Sequence, residues 1–424
     1  MLTKIFNNNY FHLNKGILFI FSLYLTLLIS FFFGENSTGG AISDYNNQKL
    51  ISSSFSINFK ETLFNYDNFS TRHSPILIIF LSIFEKLNLS DLVIRIIHLH
   101  LCLLLPYFFY QILKLKFESI DKKILLLLVG LIFLSPTFRS LAIWPDSRIL
   151  GLTFFSLSII FYLKFKQKLN FSFALLNIFT CAISSYISPN FSLFSLFFLY
   201  NYLKIFNVLS KKMLIIYSLN LILALPAIYY IFVLDINFLN KTAAATNSNQ
   251  VEKIFFNNIF NDILITFTII FFYFLPFLIE KIIKFEKVYR LDYLIFSLIL
   301  FSVCVYFFNY NYSYSGGGIF FKISYFLFND NLFFYIIALI SILIFLPYLF
   351  IKKENFLILV LILLNNPQYT IYHKYFDPFL LIIFFSLFNF QISLKEKKIK
   401  NFITIYSYFF IFLLISNLKY IWTT

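Results

Sequence analysis

The run GILFIFSLYLTLLISFFF (residues 16–33) passes directly into GENSTGGAISDYNNQKLISSSFSINFKETLFNYDNFSTRHS (residues 34–74), and this junction decides how the chain is read. The first segment is uncharged and mostly apolar, close to the roughly 20 residues a membrane-spanning helix needs. The second is a polar loop of about forty residues carrying Asp44, Asp67, Arg72 and His73. A carrier is expected to hide its polar groups in broken helices at mid-bilayer. A large solvated loop directly after the first span points instead to chemistry at the membrane surface.

Working outward, 60% of the residues are hydrophobic and 12% charged, which excludes a water-soluble globule. Phenylalanine reaches 64 of 424 residues, a bias most simply traced to an AT-rich coding sequence. The formal charge of +15 is not a nucleic-acid signature, because the lysines sit in short clusters between apolar runs. Cys102, Cys181 and Cys304 all lie within apolar stretches, so neither a disulfide framework nor a thiolate metal site is indicated. Lys4 and Lys15 precede the first apolar run, which no small-x-small cleavage site follows, and a retained signal-anchor is expected.

Further apolar runs lie near 93–113, 123–135, 148–163, 171–187, 191–205, 213–233, 262–279, 292–308, 331–350, 355–364, 376–390 and 401–418. The run 75–87 is short, opens on Pro75 and ends in Glu85 and Lys86. If it lies in the interface as a surface or re-entrant helix, the clusters Lys114–Lys123, Lys164–Lys168, Lys204–Lys212, Lys281–Arg290, Lys352–Lys353 and Lys395–Lys400 all fall on one side, which the positive-inside rule makes cytoplasmic. The expectation is therefore an all-α polytopic membrane protein with about 13 transmembrane helices and a cytoplasmic N-terminus. The first outer loop, 34–92, carries juxtamembrane helices, and residues 1–424 form a single transmembrane domain. Other outer polar segments are 136–147, 234–261, 309–330 and 365–375, with Gly316–Gly318 read as a flexible loop. No internal repeat supports inverted transporter halves.

Several residues could carry chemistry. Asp44 follows Gly39 and Gly40 near headgroup depth, where a partly desolvated carboxylate can serve as a base; the alternative is a solvated loop acid. Asp146, in Trp144-Pro145-Asp146-Ser147-Arg148, either faces a site or stabilises a helix N-terminus beginning at Pro145 or just after. Arg72 and His73 suit phosphate contact, or snorkel to headgroups. Lys374, in Tyr372-His373-Lys374-Tyr375-Phe376-Asp377-Pro378, stands on a face otherwise poor in lysine, where it can neutralise a lipid phosphate. Tyr372 and Tyr375 can equally be belt aromatics. His98 and His100, two residues apart, do not share a helix face and suit interhelical hydrogen bonds better than a metal.

This organisation resembles the GT-C superfamily of integral-membrane glycosyltransferases, which includes the protein O-mannosyltransferases and the lipid A aminoarabinose transferase. Asp44 matches the family's catalytic Asp in the first outer loop, and Arg72-His73-Ser74-Pro75 its basic residue and Pro before a surface helix. Arg95 leads the second span, Pro145-Asp146-Ser147-Arg148 opens the fourth, and Lys374-Tyr375 with Pro378 opens a late one. Tyr45 stands where the family usually pairs a second acid, and there is no large soluble C-terminal domain.

The resemblance implies an inverting transferase moving a sugar from a polyprenyl-phosphate donor to a lipid, glycan or protein acceptor on the outer face of the cytoplasmic membrane. Asp44 and Asp146 would be catalytic, and Tyr45, Asp67, Arg72, His73, Arg148, Lys374 and Tyr375 substrate-binding. Membrane lipids are partners, nucleic acid is not, and a divalent cation is possible at Asp146. The rival expectations are an O-antigen polymerase or ligase, and a flippase or transporter; the latter would need ionisable residues deep in its spans.

Overall fold

The structure is a computed structural model describing residues 15–71, 73–236, 259–284, 291–312, 316–365, 370–389 and 399–423. Among these, every regular element is a helix. Six helices are long and apolar enough to cross a membrane: Asp91–Lys116, Ser147–Lys168, Lys211–Val233, Ile259–Leu278, Leu332–Phe350 and Asn401–Leu418. A seventh crossing results if Lys122–Leu134 and Pro136–Ile143, bent by 64° at Ser135, count as one span. The shorter apolar helices Gly16–Phe32, Phe171–Ile187, Leu291–Tyr306 and Gly318–Phe328 accompany them. The chain has the make-up of a multi-pass membrane protein, and its surface agrees. Leu221, Ile222 and Phe232 on Lys211–Val233, Phe326, and Ile403 all point outward, an apolar exterior that only lipid tolerates at this extent.

The first loop is folded. Asn36 Oδ1 accepts from the Ala41 N–H at 3.0 Å and starts the helix Ala41–Ile57. Ala41, Tyr45, Gln48, Ser52 and Phe55, spaced three or four apart, form its buried stripe, while Leu50 and Ile57 are exposed. That stripe packs on Pro75–Lys86, the run expected at the interface. Pro75 at its first turn and left-handed Asn88 after its end confine this helix to 12 residues. At 1.5 Å per residue it reaches about 18 Å, too short to cross. Ser52 donates to Glu85, and Ser74 to the Tyr186 carbonyl, tying the loop to the bundle.

Two sequence expectations change. Residues 136–147, expected as an outer polar segment, contain the helix Pro136–Ile143, every residue of which is buried. Arg139 makes this stretch look polar, but its charge is neutralised internally by Glu35. Gly316–Gly318, expected as an open flexible loop, is packed. The Gly317 N–H donates to Ile371 O at 2.9 Å, and a Cβ on Gly316 would lie 2.5 Å from that oxygen. Gly317 and Gly318 have φ of 98° and 76°, so glycine is required by both space and conformation. His98 and His100 serve as expected, bonding Ala142 O at 3.1 Å and the Tyr24 hydroxyl at 3.0 Å. The three cysteines are free and buried.

Candidate active site

Asp44 lies in the first turn of Ala41–Ile57, where a carboxylate is favoured by the helix dipole. The turn before it is made by Gly39, whose φ of 76° bends the chain back from the first apolar helix. Lys374 comes from the short 3-10 turn His373–Tyr375, and its Nζ stands 3.2 Å from Asp44 Oδ2. The two side chains remain 19% and 32% exposed, so this ion pair stays reachable. Lys374 also lies 5.5 Å from the Tyr372 ring centre.

Asp146 is the N-cap of the helix Ser147–Lys168, which begins two residues after Pro145. Its Oδ1 accepts the Arg148 N–H at 2.7 Å, as the capping alternative expects. Its Oδ2 is buried and has no hydrogen-bond partner among the described residues. Burial alone pushes the Asp146 carboxyl up, but Arg148, His73, the Arg148 N–H and Lys374 outweigh it and hold it below the usual carboxylate range. Arg148 lays its guanidinium 4.4 Å from the Tyr375 ring centre, and its Nη1 is also buried without a partner among the described residues. His73 is pushed below the ordinary imidazole value by burial, which outweighs attraction to Asp146 and Asp44. Its neutral ring can donate to, or accept from, a ligand near pH 7.

Asp44, His73, Asp146, Arg148, Lys374 and Tyr375 thus converge from both ends of the chain, all of them anticipated from sequence. Arg72 lies outside the described residues. Tyr45 and Asp67 are described, but elsewhere. Tyr45, one position after Asp44, is turned into the fold: its hydroxyl donates to Asp91 Oδ1 at 2.7 Å, and its ring faces Trp144. Lys49 reaches the same Asp91 oxygen at 3.0 Å, and Arg95 stacks 3.5 Å from the Trp144 ring centre. Asp67 belongs to the turn Tyr66–Phe69, beside Tyr230. Both are better placed to hold the loop than to touch a substrate at Asp44.

Sequence reading missed two buried acids. Glu35 pairs with Arg139 at 2.8 Å, both side chains less than a tenth exposed. Arg139 also donates to Thr26 O, Thr26 Oγ1, Phe133 O and Ser30 Oγ. Burial alone would raise the Glu35 carboxyl, yet Arg139 prevails and holds it below its ordinary value. The available signal was the lone charge in Pro136-Thr137-Phe138-Arg139-Ser140-Leu141, since a charge among apolar residues must find a partner. Asp377 accepts from Ser135 Oγ at 2.6 Å and from the Thr137 N–H at 3.0 Å, clamping the 64° bend to the segment that carries Lys374. Behind it, His373 Nδ1 lies 3.3 Å from the Tyr273 hydroxyl, and burial pushes the imidazole down to about 3.

Against known proteins the chain stands apart. It matches no known family, no curated protein and no solved structure. Among the described residues no three His, Cys, Asp or Glu side chains converge as a metal site. What the cluster offers is a pair of carboxylates, a neutral imidazole, and two cations of which one is stacked on a ring. Two of its buried polar atoms, one a donor and one an acceptor, still require partners.

Proposed function

We propose that this protein is a membrane glycosyltransferase that takes a sugar from a polyprenyl-phosphate donor and passes it to an acceptor at the outer face of the cytoplasmic membrane. The supporting observation is the 3.2 Å contact between Asp44 and Lys374, 330 residues apart, beside the unsatisfied Asp146 and Arg148. An acid and a cation in contact and partly exposed suit a reaction that removes a proton while releasing a phosphate.

In this reading Arg148 and Lys374 hold the donor phosphate; an ammonium has three donors and can keep Asp44 while binding a phosphate oxygen. The acceptor hydroxyl oxygen attacks the anomeric carbon and loses its proton to Asp44. The anomeric C–O bond to phosphate breaks, and the electron pair leaves with the polyprenyl phosphate, so configuration inverts. Arg148 and Lys374 stabilise charge growing on that leaving group. Asp146 keeps Arg148 oriented, and His73 hydrogen-bonds the acceptor or the phosphate.

The reading carries a topology of about 13 spans with residues 34–92 outside, which rests on the lysine clusters and the shortness of Pro75–Lys86. Cysteines placed at Ser54 and Ser90 are both expected to react with an impermeant thiol reagent; labelling at Ser54 alone would mean that 75–87 crosses. One feature favours a transporter, the broken pair Lys122–Leu134 and Pro136–Ile143 with its internal Arg139. Arg139 has its donors occupied by protein, however, and offers a cargo nothing.

The test of the reaction is Asp44→Asn in purified, reconstituted protein supplied with a radiolabelled polyprenyl-phosphate sugar. Release of polyprenyl phosphate should fall on the order of 10²–10⁴-fold with donor binding retained. Near-normal turnover would remove Asp44 as the base.

A further inference from the structure

The buried stripe of Ala41–Ile57 contains three side chains with hydrogen-bonding groups, Tyr45, Gln48 and Ser52. Two are satisfied inside the protein: the Tyr45 hydroxyl donates to Asp91 at 2.7 Å, and the Ser52 hydroxyl to Glu85. Gln48, between them, is not. Its side chain is wholly buried, and neither Nε2 nor Oε1 has a hydrogen-bond partner among the described residues. The remaining members of the stripe, Ala41, Ile51 and Phe55, are what packing alone asks for. A buried, unsatisfied amide costs stability that Leu or Met at the same place would not, so packing does not account for Gln48.

Its place on the helix ties Gln48 to the Asp44 site. It lies one turn beyond Asp44 and about 40° round the helix from it. Side chains on a helix lean toward its N-terminus, so the Gln48 amide is carried back over the turn that holds Asp44. The stripe packs on Pro75–Lys86, which is entered through His73, and His73 feels both Asp44 and Asp146. Around Asp44 there are thus three side chains with buried, unsatisfied polar atoms. Gln48 has a donor and an acceptor, Asp146 an acceptor and Arg148 a donor, and none of them bonds another. Rotation about the side-chain bonds of Gln48 brings its amide toward Asp44, which is partly exposed.

An amide selects its ligand by what it can answer. A phosphate offers only acceptors and would leave Oε1 facing negative charge, and a cation would leave Nε2 facing positive charge. A hydroxyl both donates and accepts, and two adjacent hydroxyls can answer Nε2 and Oε1 together. We propose that Gln48 binds hydroxyl groups of a neutral sugar held beside Asp44, and so sets which sugar the site accepts. The sugar's presence there rests on the glycosyl-transfer reading; the unsatisfied amide does not. Sites built to hydrogen-bond a hydroxyl reject analogues lacking it, because their buried polar groups are then left unpaired.

The test uses the full chain in a detergent without a sugar headgroup, with thermal midpoints read in millimolar glucose, galactose, mannose, arabinose or N-acetylglucosamine. At least one sugar should raise the wild-type midpoint, and Gln48→Met should lose that shift. Asn46→Leu, which removes an exposed amide from the far face of the same helix, should keep it. Without sugar, Gln48→Met should melt no lower than the wild type, since it fills the same space and removes an unsatisfied group. With polyprenyl-phosphate donors of the same sugars, loss of one sugar hydroxyl should cost the wild type about 100-fold or more in kcat/KM, and Gln48→Met almost nothing. A lower midpoint in Gln48→Met would mean that the amide is bonded within the protein, and would overturn the assignment. So would the absence of any sugar shift in the wild type, or an equal shift in Gln48→Met. A Gln48-dependent shift without turnover of any of these donors would remove the transfer reading and leave Gln48 as a sugar ligand. Turnover that stays equally selective in Gln48→Met would overturn the role of Gln48 alone.

Discussion

Two ion pairs at the end of the bundle that holds Asp44, Glu35–Arg139 and Asp44–Lys374, differ in how completely they and their neighbours are satisfied. Glu35–Arg139 is almost wholly buried, and Arg139 is surrounded by acceptors from the first apolar helix and the 3-10 turn Leu131–Leu134. Asp44–Lys374 is partly open, and the neighbouring Asp146 and Arg148 each leave a buried polar atom without a hydrogen-bond partner among the described residues. A saturated pair can only hold structure together, because any ligand would have to displace bonds already made. An unsaturated one is incomplete until something binds.

The largest effect should come from breaking the saturated pair. Arg139→Met leaves Glu35 buried and unpaired and is expected to cost about 3–5 kcal/mol, seen as lost expression or a collapsed thermal midpoint. Adding Glu35→Gln should recover part of that loss. Full stability in Arg139→Met would mean that the two pairs do not differ as described.

Next, Arg148→Lys should leave the fold within about 1 kcal/mol, since it removes one cation–π contact, yet raise KM for the lipid-phosphate donor more than tenfold because the planar fork is lost. Titration of donor turnover at constant thermal midpoint checks this. An equal fall in stability would make Arg148 scaffold after all.

How far was this legible in the sequence? The helical class, the membrane character and the shortness of 75–87 followed from hydropathy, Pro75 and the lysine clusters. So did six of the residues that meet at the Asp44 site, because each borders an apolar run, where a charge is easily noticed. Sequence adjacency hides the roughly 100° turn between neighbours on a helix, which sends Tyr45 to Asp91 while Asp44 faces Lys374. Arg139 went unnoticed because a single charge in a hydropathy plot reads as a loop, whereas its partner Glu35 is 104 positions away. Gly316–Gly318 looked flexible because a glycine run cannot announce that Ile371 will pack against it.

The smallest expected effect is that of pH. His373 is held neutral, its value pushed down to about 3 by burial, against about 6.5 for an unfolded imidazole. A lowered folded value means that its contribution to stability is complete above about 6.5 and fades as pH falls toward 3. His73 acts in the same sense, and Asp146, also held low, adds its own loss only below the ordinary carboxylate range. Thermal midpoints between pH 7.5 and 5 should therefore decline, and decline less in His373→Gln. An unchanged slope would show that the ring is solvated.

The 330 positions between Asp44 and Lys374 also set a timetable for biosynthesis. A ribosome adding about 5–20 residues per second needs roughly 15–65 s to travel from one to the other. Through that interval the nascent chain has Asp44 without the lysine it pairs with. The contact therefore forms only once Lys374 has been made and inserted, however early the helices that carry Asp44 have assembled.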